Sequence, residues 1–289
     1  MNTRDRFISI NGLRLHYLEW GAASAPPVVL LHGGSANAHW WSRLAAALED
    51  TYRVLALDLR GHGDSEHPES AAYRVDDYAG DVDAFFDALG VDRIDLIGHS
   101  LGGLIATEYA GRAPERINSL VVVDTELRVG ASGARYMARL RNFPHPRYPD
   151  REHAIKRFRL LPTATNADPT VLADIAAHSI VELPDGRWTL KFNRDSLAHV
   201  EVQDLTEILT RLTCPILLVR GAHSALLSHA ALAGLLARVP HAEGAEIAGA
   251  HHHVMLDNPT EFARVVRAFL DRHPRQTSAR KGQRRSRGS

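Results

Sequence analysis

Cysteine is nearly absent. Cys214 is the only one in 289 residues, so no disulfide can form within the chain and stability must come from a packed core. Also missing is any uninterrupted apolar run approaching the roughly 18 residues of a membrane span. The N-terminal stretch MNTRDRFISINGLRLHY has charges where a signal peptide needs an apolar heart. A soluble cytoplasmic protein with no membrane partner is therefore expected. No internal repeat is visible. Net charge is also lacking, with 34 Lys and Arg against 34 Asp and Glu, but that balance is local rather than uniform. From Arg275 onward, RQTSARKGQRRSRGS holds six basic residues and no acid, which leaves the first 274 residues at a net of minus six. A mildly acidic body argues against a nucleic-acid-binding domain. Residues 273–289 are expected to be a disordered basic tail.

What is present is an alternation of short apolar runs with amphipathic segments. An opening hairpin spans Phe7 to Tyr17 with Asn11 and Gly12 at its turn. Buried strands follow at Val28 to Leu31 and Tyr52 to Leu57, with a helix from His39 to Glu49 between them. A helix from Val75 to Leu89 puts Val82, Phe85, Phe86 and Leu89 on one face. Further strands are read at Ile94 to Ile97, Ile117 to Val123, Ile216 to Val219 and Ala245 to Ile247. Helices are read at Ser228 to Val239 and Pro259 to Asp271. Strands alternating with helices imply a parallel sheet covered on both faces, whose ligands bind at the carboxyl ends of the strands. Residues 125–204 break the pattern with scattered prolines and short apolar runs. They read as an insertion, with short helices near 151–160 and 170–182 and a turn at Asp185 and Gly186.

Chemistry is most legible at IDLIGHSLGGLIATEYAG, residues 94–111. Gly98, His99, Ser100, Leu101 and Gly102 form a GxSxG corner between strand and helix. Small residues two before and two after the serine let strand and helix approach closely, which lifts the hydroxyl out at the sheet's carboxyl end. The first amides of the helix point at the same place. A serine hydroxyl is a weak nucleophile near neutral pH and needs a base, itself oriented by a carboxylate, and donors for the oxyanion. The glycine-rich turn after VVLL supplies a candidate donor, so the amides of Gly34 and Leu101 are expected to form the oxyanion hole. Seventeen histidines leave the base undecided by composition.

The elbow, the HGGS turn and the run GAHHHVMLDNP between the last strand and last helix together resemble the α/β-hydrolase superfamily, over nearly all of residues 10–272. The resemblance implies a mostly parallel eight-stranded sheet flanked by helices, with residues 1–124 and 205–272 as the core and 125–204 as a helical cap. It also implies the base: the family's histidine precedes an acidic residue by five and a proline by seven, which from Asp257 and Pro259 gives His252. His251 stands where glycine is usual. Many members carry the acid just after the strand equivalent to ILLVRG, yet here Gly221 to Ser228 contains none, and the next acid is Glu243. Some lipase-like members use the end of the preceding strand, which selects Asp124 from VVVDTE, with Glu126 in reserve. His32, Gly33, His99, Trp40 and His223 are the residues expected to contact substrate. One of Trp40 and Trp41 is expected in the core.

These features imply a serine hydrolase acting on a carboxylic ester, lactone or thioester, with a small ester-like molecule as its partner, no cofactor, no metal, and a monomeric or homodimeric state. Three consecutive histidines make a poor metal site because sequence neighbours point in different directions. Two other readings share the motifs. One is a carbon–carbon bond hydrolase of the ring-cleavage-product type, which needs basic groups such as Arg157, Arg159 or Arg187 to hold a carboxylate. The other is a ligand receptor that retains the triad.

Overall fold

The computed structural model describes residues 3–70, 72–198 and 203–275. The chain runs β1 (Arg4–Ile10), β2 (Leu13–Trp20), β3 (Pro27–Leu31), α1 (Ser42–Leu48), β4 (Arg53–Leu57), α2 (Val75–Leu89), β5 (Ile94–His99), α3 (Leu101–Arg112) and β6 (Ile117–Val123). The insertion holds β7 (Arg128–Val129), α4 (Ala131–Arg141), α5 (Arg151–Arg157), α6 (Pro169–His178), β8 (Ile180–Glu182), β9 (Trp188–Leu190), α7 (Asp195–Ala198) and β10 (Gln203–Asp204). The regular alternation resumes with α8 (Thr206–Arg211), β11 (Ile216–Gly221), α9 (His229–Arg238), β12 (Ala242–Ile247), α10 (Val254–Asp257) and α11 (Pro259–Arg272).

Eight strands form one sheet in the order β1-β2-β4-β3-β5-β6-β11-β12. Only β2 runs against its neighbours; every other pair from β4 to β12 is parallel. Period-two alternation divides each central strand between two cores. Val29 and Leu31 of β3, Leu96 of β5, Leu120 and Val122 of β6 and Leu218 of β11 face the core built on α2 and α3. Val28 and Leu30, Ile97, Val121 and Val123, and Leu217 and Val219 face the other, built on α1 and α11. Helix α11 is typical of the covering helices. The Asn258 side chain caps it by accepting from the Glu261 N–H at 3.2 Å, Pro259 starts it, and Phe262, Val266 and Phe269 are fully buried. Each such side chain contributes about 2–3 kcal/mol by leaving water.

The insertion is not purely helical. Besides its helices it holds the hairpin β8–β9, which turns at Asp185 and Gly186 as expected. Its ends meet where β7 and β10 pair antiparallel, Gln203 against Val129 and Asp204 against Arg128. The α4 helix in ASGARYMARLR has no counterpart in the expected elements. Residues 273–275 fall within the expected tail. The Asn118 amide donates to the His273 carbonyl at 3.1 Å, and Arg275 lies 3.5 Å from the buried Asp95 carboxylate, so these residues pack on the sheet. The rest of the tail, residues 276–289, lies outside the described residues. No helix among the described residues is long and apolar enough to cross a membrane.

Candidate active site

The corner between β5 and α3 is as tight as its glycines require. A Cβ on Gly98 would stand 2.1 Å from the Gly102 carbonyl oxygen, and one on Gly102 would stand 2.1 Å from the Leu31 carbonyl oxygen. Ser100 between them has φ 53° and ψ −116°. Its N–H donates to the Val123 carbonyl at 3.1 Å, and its own carbonyl accepts from the Gly103 and Leu104 amides. The strained backbone is thus fixed from both sides, and α3 starts at Leu101 with its first amides free of intrahelical partners.

Asp124 follows the last residue of the neighbouring strand β6 and also has a left-handed backbone, φ 44°. Its side chain is fully buried. Oδ1 accepts from the Gly221 amide at 2.9 Å, while Oδ2 accepts from the Ser224 hydroxyl at 2.6 Å and from His252 Nδ1 at 2.7 Å. The carboxylate therefore keeps the His252 proton on Nδ1 and leaves Nε2 its lone pair. Burial holds the His252 imidazole well below its ordinary titration range, so it is neutral and able to accept a proton. Burial also pushes Asp124 up to about 6, against the opposing pull of the Ser224 and Gly221 donors. The histidine loop is fastened from outside by Asp257, which accepts from the His251 amide at 2.7 Å and the Asn166 amide at 2.9 Å, and from the Thr165 hydroxyl.

Ser100, Asp124 and His252 line one cavity of about 380 Å³, together with Gly34 and Leu101. The glycine turn passes directly over the elbow: a Cβ on Gly33 would fall 3.2 Å from the Ser100 Cβ. Of the four described non-glycine residues with positive φ, three, Ser35, Ser100 and Asp124, line this cavity, so backbone strain is concentrated there. The rest of the wall is mostly apolar, with Thr125 and Ser196 as further neutral polar side chains. Leu101 and Leu104 come from α3, Val129, Met137 and Leu140 from the start of the insertion, and Leu161, Pro162, Leu197 and Leu226 close the remainder. Glu126 is there too, exposed, and among the described lining residues there is no Lys or Arg.

Several residues expected at the pocket stand elsewhere. His32 is buried beneath the turn, donating from Nδ1 to the Gly33 carbonyl at 2.7 Å and accepting at Nε2 from the Leu59 amide at 3.0 Å, so both ring nitrogens are committed. His99 points to the back of the site, where Nε2 donates to the His252 carbonyl at 2.9 Å. Gly33 packs on that ring rather than on the cavity. Trp40 and Trp41 both pack in the core, and Trp40 lines a small neighbouring cavity with Ser35 and Leu161 rather than the cavity at Ser100. His223 is exposed and lies against His251, with ring centroids 5.5 Å apart.

His251 is not part of the cluster that its two neighbours form. A ring nitrogen of His253, of His252 and of His99 lie within 4.8 Å of one another, one of two groups among the described residues with metal-ligand spacing. The other is His16, Asp58 and Asp64, where Asp58 is occupied by the Ala38 and Asp64 amides and His16. Residue-by-residue reading of the sequence passed over Ser224 and the apolar residues of α4. The signal for Ser224 is its place: it is a polar side chain in a loop that has lost its acid, one residue after His223.

Residues 26–259 match the model of the family described as alpha/beta hydrolase fold. The chain is 30% identical over 259 residues to the esterase Rv0045c of Mycobacterium tuberculosis, covering 88% of this chain and 85% of that protein. It is 28% identical over 278 residues to the uncharacterized carboxylesterase nap of Bacillus subtilis, covering 91% and 85%. Among solved structures, that of E-2-(acetamidomethylene)succinate hydrolase superposes with a TM-score of 0.84 at 25% identity, over 93% of this chain and 100% of that one.

Proposed function

The chain belongs to the alpha/beta hydrolase fold family and is a hydrolase, and from that premise we propose that it cleaves neutral carboxylic esters through an acyl-enzyme on Ser100. The observation that carries this reading is the 2.7 Å contact of His252 Nδ1 with Asp124, in the wall of the cavity that Ser100 also lines. His252 Nε2 takes the Ser100 proton as Oγ attacks the ester carbonyl. The Gly34 and Leu101 amides hold the oxyanion. The protonated imidazole then gives its proton to the departing alcohol, and water, activated by the same nitrogen, releases the acid. Asp124 holds the tautomer and stabilises the imidazolium.

The substrate class follows from the wall. An apolar chain can lie among Leu104, Met137, Leu140 and Leu197, whereas an acyl group ending in a carboxylate meets Glu126 and no cation. The carbon–carbon bond hydrolase reading wants a cation there. Arg187 instead pairs with Asp185 at 2.6 Å, Arg159 donates to the Lys156 and Phe158 carbonyls, and Arg157 does not line the cavity. A succinate-type substrate, as named for the structural neighbour, is disfavoured on the same ground.

A panel of esters with neutral acyl chains of graded length, beside chains of matched length ending in a carboxylate, tests the proposal. Turnover of the neutral series that Ser100→Ala abolishes is expected. Near-full turnover by Ser100→Ala sinks the covalent mechanism, and preference for the carboxylate series sinks the substrate class.

A further inference from the structure

The loop after β11, residues 222–228, contains no acid, yet it reaches the triad. Ser224 is buried, and its Oγ donates to Asp124 Oδ2 at 2.6 Å, the same oxygen that receives His252 Nδ1. The hydroxyl is itself oriented, accepting from the Leu226 and Leu227 amides at 3.2 and 3.3 Å. Those two bonds occupy its lone pairs, so its single proton goes to the carboxylate. The loop is held in turn by Arg220, a buried residue of β11 whose guanidinium donates to the Leu227 carbonyl at 2.8 Å and the Ala222 carbonyl at 3.2 Å. At its start, Gly221 lies so close to the His251 carbonyl that a Cβ would stand 2.0 Å from that oxygen. The amide of the same glycine holds Asp124 Oδ1. The Ser224 oxygen is therefore a fixed donor, placed by backbone on both sides.

We propose that Ser224 is a positioning residue of the active site, a fourth member that keeps Asp124 ionised and aligned with His252 while touching no substrate. This rests on the reading of Asp124 as the triad acid. A carboxylate buried without charge-compensating donors takes up a proton, and a protonated Asp124 donates to His252 Nδ1 instead of accepting from it. The imidazole proton then moves to Nε2, where it blocks transfer from Ser100. The groups that bear on Asp124 are few: the Gly221 amide, the Ser224 hydroxyl, the His252, His99 and His253 rings, and the Arg220 guanidinium. Of these, Ser224 is a neutral side-chain donor that takes no part in proton transfer, so its removal changes no formal charge and leaves the base in place. The same geometry implies that a carboxylate carried at position 224, one bond longer than the serine, reaches the space that Asp124 Oδ2 occupies beside Nδ1.

Kinetics of Ser224→Ala on a neutral ester test the role. Loss of a hydrogen bond to a charged group predicts kcat/KM lower by about tenfold near pH 7, carried by kcat rather than KM, with the acid limb of the pH profile moved toward higher pH. An unchanged kcat with an unmoved limb overturns the proposal. Should Ser224→Ala fail to fold, a pair of variants decides. Asp124 has a positive φ that glycine accepts, so Asp124→Gly empties the carboxylate site without strain. Adding Ser224→Asp to Asp124→Gly is expected to recover at least tenfold over Asp124→Gly alone, and no recovery counts against the proposal. If Asp124→Gly alone keeps full activity, the triad reading fails, and Ser224 loses its role with it.

Discussion

Replacing Asp124 by asparagine changes one oxygen to an NH2 group at a site where all three contacts are known. Oδ1 must stay an acceptor for the Gly221 amide at 2.9 Å, which places the new NH2 where Oδ2 now receives Ser224 and His252. The Ser224 hydroxyl, its lone pairs already taken by the Leu226 and Leu227 amides, loses its acceptor. His252 cannot stay as it is: Nδ1 now faces a donor, so the ring moves its proton to Nε2, the atom that must accept from Ser100. The flipped amide restores the tautomer only by setting an N–H against the Gly221 N–H, a buried clash costing about 1–3 kcal/mol. It also fails to restore the negative charge that stabilises the imidazolium. Together these predict a fall in kcat of about 10³- to 10⁴-fold, the scale known for such a change in serine proteases.

Folding should not fall with it. Burial raises the Asp124 carboxyl to about 6 in the folded protein, against about 3.9 in an unfolded chain, so the folded state favours the protonated form. That contribution to stability is full below the unfolded value and is lost as pH rises through about 6, costing on the order of 3 kcal/mol by pH 8. A neutral asparagine carries no such cost, and φ 44° suits it. Asp124→Asn is therefore expected to melt at or above the wild-type temperature at pH 8 while being almost inactive on the neutral ester. Activity within tenfold of wild type would refute the tautomer argument. A collapse in melting temperature would refute the account of the buried charge.

Wild-type kcat/KM should fall as pH drops through about 6 with a slope of one and stay level above it, because one proton added to the Asp124–His252 pair, on either member, removes the acceptor for the Ser100 proton. A profile flat to pH 4 would contradict this. Gly133→Leu should narrow the cavity from α4 without cost to folding, since a Cβ there meets only Val129 at 3.9 Å. Each methylene excluded forfeits about 0.8 kcal/mol, so excluding two should lower kcat/KM for long-chain esters about 15-fold and leave acetyl esters unchanged. Equal losses across the panel would place the acyl chain elsewhere.

The sheet was legible because its central strands are buried on both faces, so Val28 to Leu31 and Leu120 to Val123 are continuous apolar runs needing no partner to be recognised. The corner at Ser100 was legible because close approach of strand and helix leaves room only for glycine at 98 and 102. Helix α4 was not. ASGARYMARLR has a glycine and no continuous apolar stripe, and its inward face is set by the cavity it lines rather than by a core of its own. The pocket histidines misled for a related reason: residue type says that His32 can bond, not that its two nitrogens are already bound to Gly33 and Leu59. Ser224 was invisible because its partner lies 100 residues away, joined only through the pairing of β6 with β11.

The pairing of β7 with β10 has a bearing on descent. It brings the two ends of the insertion together at one point, four residues beyond Asp124. Closing a longer segment at such a point adds only about 0.6 kcal/mol for each doubling of its length. Residues between the two strands can then be lengthened, shortened or exchanged over generations while Ser100, Asp124 and His252 keep their places beyond β5, β6 and β12, so that the apolar wall and the groups it encloses are inherited as separable traits.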